Sequence, residues 1–125
     1  MNQKFVLSEK SGVLVVTVTA VPTADELIEV LTEIRNDTGY THQLRLWDFR
    51  KSEFNPSDSE LKKIAMHAAG GDEGPSKIAM LVGSDFSYGM SRMYYAYRSN
   101  EKAEVNVFRD EADAMNWLRG PGETF

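Results

Sequence analysis

The sequence predicts one α/β domain: a mixed, mostly parallel five-stranded sheet with about four helices, in the order β-β-α-β-α-β-α-β-α. Three observations predict it. Short strand-like runs, β-branched at Val13 to Thr19, continuously apolar at Ile78 to Val82 and interrupted by polar residues at Gln43 to Phe49 and Val105 to Phe108, alternate with stretches whose apolar residues recur at helical spacing. Continuous apolar runs suit strands covered on both faces, and strands separated by helices imply parallel crossovers. Helix-start residues stand where the runs end: Thr23 with Glu26, Ser57 with Glu60, Asp85, and Asp110 with Asp113.

Lys4 to Leu7 is a short apolar start, and Ser11-Gly12 is the turn into the β-branched run Val13 to Thr19, so the two form a hairpin. This hairpin makes the sheet mixed. Val21-Pro22 breaks the strand, and Thr23 with Glu26 opens a helix whose apolar face is Leu27, Ile28, Leu31 and Ile34. Arg35 and Gly39 mark its end. In the strand Gln43 to Phe49, Leu44 and Leu46 share one face, with Arg45 and Trp47 on the other.

The next helix has two competing starts. One has Pro56 at the first helical position after Asn55; the other is a capping box of Ser57 with Glu60. Its apolar face is Leu61, Ile64, Ala65 and Ala68, and Gly70 to Pro75 is a surface loop. Ile78 to Val82 is the fourth strand, ended by Gly83. Asp85 then caps a helix on which Phe86, Met90, Met93, Tyr94 and Tyr97 fall on one face. Val105 to Phe108 is the last strand. Asp110 starts the last helix, which buries Ala114, Met115 and Leu118 beside Trp117 and stops at Gly120-Pro121-Gly122.

A chain of 125 residues is read as a single domain over residues 1–120 with a tail at 121–125. A domain of this size buries roughly two-thirds of its unfolded surface, enough for a core without staples. The chain has no cysteine, which excludes disulfides, thiolate metal sites and a cysteine nucleophile. A net charge of −5 argues against non-specific nucleic-acid binding, which needs Lys and Arg on phosphates. No apolar run is long enough for a membrane span, and Met1 to Val6 lacks the apolar core of a signal peptide, so a cytoplasmic location is expected. His42 and His67 lie far apart, and no nucleophile-elbow, Walker or dinucleotide glycine motif is present, so neither metal nor cofactor is expected.

The pattern resembles the STAS fold of anti-anti-sigma factors, and within it the SpoIIAA-like (STAS-like) family of small stand-alone bacterial proteins. The residues that carry the likeness are Gly12 to Thr19, Leu44 to Phe49 with Asp48, Ser84 to Tyr94, and above all Val107 to Arg119. The likeness spans nearly the whole chain. It implies a non-enzymatic regulatory or protein-interaction module. In such proteins a serine at the start of the helix after the central strand is phosphorylated, which makes or breaks a complex. Ser57 and Ser59 are the matching residues here. Asp58 and Glu60 flank them, so a phosphate would meet two carboxylates as well as the favourable helix N-terminus.

Independently of the likeness, ligands of open α/β sheets bind outside the carboxyl ends of the strands. That places a candidate ligand or partner surface at Asp48, Arg50, Ser84 and Asp85, with Arg109-Asp110 at the same rim. The aspartates serve equally well as helix caps, and Asp48 as the ion-pair partner of Arg50. Tyr88, Arg92 and Tyr95 fall off the buried face of their helix, which suits a contact with another protein or with a second copy of the chain. Met90, Met93 and Tyr97 are either core or the lining of a cavity for a small anionic or lipid-like ligand, which is the alternative function.

Overall fold

A computed structural model of the chain describes residues 4–36, 44–52, 56–69, 76–83 and 103–120. Within them run β1 (Phe5–Lys10), β2 (Val13–Val18), α1 (Ala24–Asn36), β3 (Leu44–Asp48), α2 (Asp58–Ala69), β4 (Ser76–Leu81), β5 (Ala103–Phe108) and α3 (Glu111–Arg119). The class is α/β with a five-stranded mixed sheet, in the order β1-β2-β3-β4-β5. Among the described residues there are three helices rather than about four. The helix expected after Gly83 falls at 84–100, outside the described residues.

β1 and β2 pair antiparallel, and every later neighbour pairs parallel. Ser11 (φ 53) and Gly12 (φ 80) are both left-handed, the two-residue turn whose twist matches that of the strands it joins. The two crossovers, β2 to β3 through α1 and β3 to β4 through α2, step in the same direction across the sheet. A single handedness therefore puts both helices on one face.

On that face Leu14, Val16, Val18, Trp47, Ile78, Met80, Val105 and Val107 pack with Leu27, Val30 and Ile34 of α1 and Ile64 of α2. On the opposite face Val13, Leu46, Ala79 and Leu81 pack against Ala114 and Leu118 of α3. Each large aliphatic side chain so buried contributes roughly 1.5–3 kcal/mol. Arg45 and Trp47 do share the α1/α2 face of β3 while Leu46 takes the other, because strand side chains alternate. Val30 was missing from the apolar face read in the sequence, yet it is fully buried at the centre of α1.

The caps follow the sequence. Thr23 and Glu26 bond each other's backbone amides at 3.1 and 2.9 Å. Asp110 accepts from the Asp113 amide at 3.1 Å, and Gly120 (φ 82) closes α3 with its amide on the Asn116 carbonyl. At α2 the competition is decided for Ser57: the helix begins at Asp58, and Pro56 lies before it, buried. A serine cap satisfies two free amides reciprocally, which a proline at the first position cannot do.

Candidate functional site

The carboxyl ends of β3, β4 and β5 form one rim. The ladder continues past the strand ends there: the Phe49 amide donates to the Leu81 carbonyl at 2.8 Å and the Val82 amide to the Phe108 carbonyl at 2.9 Å. After β3 the chain turns through Arg50, Lys51 and Ser52 toward α2 on one face. After β5 it turns through Arg109 and Asp110 into α3 on the other. Gly83 lies against the Arg50 backbone, where an added Cβ would sit 3.5 Å from the Arg50 carbonyl oxygen.

A chain of charges crosses this rim. Asp48 is buried, 7 % exposed, and Arg50 grips it with both arms: Nε to Oδ1 at 3.1 Å and Nη2 to Oδ2 at 2.9 Å. The Arg50 backbone amide adds a third bond to Oδ1 at 3.0 Å. The same Nη2 reaches Glu111 Oε1 at 2.9 Å, and Lys10 of β1 donates to Glu111 Oε2 at 3.2 Å. Glu111 opens α3, where the helix dipole favours a carboxylate.

Burial by itself would raise the Asp48 carboxyl. The side-chain and backbone hydrogen bonds from Arg50, with the positive charges of Arg50 and Lys51, outweigh it and hold Asp48 below the ordinary carboxylate range. The bond to Asp48 likewise outweighs the smaller burial penalty on Arg50 and raises its guanidinium, with a further contribution from Glu111. A carboxylate held ionised by a bidentate guanidinium is a poor proton donor, and with three hydrogen bonds already accepted it is a poor base. Among the described residues no group of three His, Asp or Glu side chains is arranged to hold a metal ion.

Ser57 and Ser59 are brought together, with their hydroxyl oxygens 3.2 Å apart on the exposed start of α2. Their surroundings differ. The Ser57 hydroxyl accepts the Glu60 amide at 3.2 Å, and Glu60 returns a bond to the Ser57 amide at 2.9 Å. Asp58 is drawn toward Lys62 at 3.4 Å. Ser57→Ala is therefore expected to lower stability by about 1 kcal/mol and Ser59→Ala to leave it nearly unchanged. Chemical denaturation of the two variants checks this.

Ser84, Asp85, Tyr88, Arg92 and Tyr95, and the cavity candidates Met90, Met93 and Tyr97, lie outside the described residues. Three features of the site were not read in the sequence. Lys10 and Glu111 are 101 residues apart, and no local pattern signals their meeting. The Ser52 hydroxyl is buried at the rim without a hydrogen-bond partner. Met66 stands 75 % exposed on α2. A signal for Met66 was present, since it falls off the Leu61, Ile64, Ala65 stripe. Comparison with protein-family models, curated proteins and solved structures finds no match to this chain.

Proposed function

We propose that this chain is a cytoplasmic regulatory module of the STAS-like kind, which binds another protein through the outer face of α2 and does not catalyse a reaction. The observation that carries the reading is the stripe Ser59, Lys62, Lys63, Met66. These residues recur at i, i+3, i+4 and i+7, so they share one face, and all four are exposed. The inward residues Leu61, Ile64 and Ala65 are buried, so the outer stripe is not needed for packing. A flexible thioether beside two lysine stems suits an adaptable protein contact, because methionine repacks against varied surfaces. The lysines are held in place, Lys62 by Asp58 at 3.4 Å and Lys63 by Asp25 of α1 at 3.0 Å. The state of the rim also favours contact over catalysis, since Asp48, Arg50, Glu111 and Lys10 neutralise one another and Asp48 is kept ionised.

The test is site-specific photo-crosslinking in the cells that make the protein, with the probe at Met66 and, as control, at Asp113 on α3, which covers the opposite face of the sheet. Probe at 66 is expected to give a discrete adduct that the control lacks and that Lys63→Glu reduces several-fold. The same adducts from both positions, or none from 66, would overturn the reading.

A further inference from the structure

The geometry points to a second interaction surface, separate from α2: the free edge of β1, which is built to pair with β1 of a second copy of this chain. The argument begins with the ladder. The Thr19 amide donates to the Lys4 carbonyl at 2.8 Å. Bonded pairs alternate in an antiparallel ladder, and the register Phe5↔Val18 through Lys10↔Val13 carries that alternation along the strand. The main chain of Val6, Ser8 and Lys10 therefore faces β2. The amides and carbonyls of Phe5 and Leu7 point the other way, and among the described strands β1 has no neighbour on that side.

The two sheet edges are treated differently. At β5 the Phe108 carbonyl faces β4, so the Val107 main chain faces outward. The Asn106 side chain takes up the Val107 amide itself, at 2.9 Å. An edge amide bonded to its own neighbour is not offered to another strand. At β1 nothing comparable among the described residues covers the outward groups of Phe5 and Leu7, and Val6 between them is 52 % exposed on the face that α3 only partly covers.

A second β1 fits in one register. With the two-fold axis through Val6, Phe5 of each copy lies opposite Leu7 of the other, and each such pair exchanges both main-chain bonds. Aromatic and aliphatic side chains then face each other across the junction, a favourable cross-strand pair. Val6 meets its own counterpart in the closer, non-bonded kind of pair and loses its exposure. Lys4 lies opposite Ser8. Moving the axis to Leu7 would place Phe5 opposite Glu9 and Val6 opposite Ser8, and both apolar matches would be lost. The apolar matching therefore selects the register centred on Val6.

The chain has no cysteine, so one can be introduced as a reporter. With the axis at Val6, the α-carbons of two residues 6 lie about 4.5 Å apart, within disulfide reach. Two residues 8 are offset by four positions, about 13 Å, which is beyond it. Under mild oxidation Val6→Cys is expected to form a covalent dimer and Ser8→Cys to stay a monomer. In sedimentation velocity the wild type is expected to run as a dimer, and Val6→Lys, which opposes two ammonium groups at the axis, as a folded monomer. A wild type that stays monomeric across the dilution series, or a Val6→Cys chain that cross-links no faster than Ser8→Cys, overturns the proposal. Neither outcome bears on the α2 face, whose adducts are scored separately.

Discussion

Asp48→Asn is expected to lower stability by about 2 kcal/mol and to flatten the acid limb of the stability–pH curve. Asp48 is almost wholly buried and accepts three bonds from Arg50, so the substitution leaves a neutral amide against a guanidinium that needs an anion. The loss falls short of that for a fully buried pair, because Arg50 is 42 % exposed and keeps water and Glu111 as partners. The sign with pH follows from the direction of the shift. A carboxyl held below its ordinary value in the folded chain stabilises above the unfolded value, near pH 4, and that contribution is lost as pH falls through the folded value. The wild type should therefore weaken steeply below about pH 4, and Asp48→Asn should lack that part of the slope. Urea unfolding of both proteins across this range measures it. Parallel curves would mean that the ion pair is not what holds the rim.

The second large effect is expected at Leu46, only 2 % exposed beneath α3. Leu46→Ala should cost about 3 kcal/mol, from lost transfer energy and from the cavity left behind. Among the described residues the buried cluster on this face is the smaller of the two, so one leucine is a larger share of it. α3 is anchored by Ala114 and Leu118, with Met115 and Trp117 only partly buried, and facing it are small residues such as Ala79 and Val13. Leu81 is fully buried in the same cluster, and Leu44 and Phe108 pack against it. For a domain of marginal stability such a loss brings unfolding within reach of mild conditions. Hydrogen exchange should localise the effect, with amides of Glu111–Arg119 exchanging faster than those of α1, which has its own large cluster with Val30 and Ile34. Equal acceleration in both helices would show that the two faces melt as one unit.

The fold was largely legible because its signals are local. Alternation in β3, the caps at Thr23, Ser57 and Asp110, and the turn at Ser11-Gly12 each depend on residues within a few positions of one another. The competing start at Pro56 was the exception. Both starts obey local rules, and the choice depended on a reciprocal pair of bonds that only the folded helix shows. The site was legible only in part. Asp48 and Arg50, two residues apart at a strand end, could be read as a pair, but Glu111 and Lys10 reach that pair from opposite ends of the chain.

The sequence by itself determined the order of the described elements, the mixed sheet that a hairpin followed by crossovers requires, and the helix ends at Thr23, Asp110 and Gly120. Apolar spacing and cap chemistry act over one or two turns of chain, so they are written in consecutive letters. Tertiary structure alone decided which carboxylate completes the charge chain at the rim and that Met66 is left outside. Each of these depends on what lies across space from a residue. The meeting of Lys10 with Glu111, 101 residues apart, exists only once elements far apart in sequence are laid side by side.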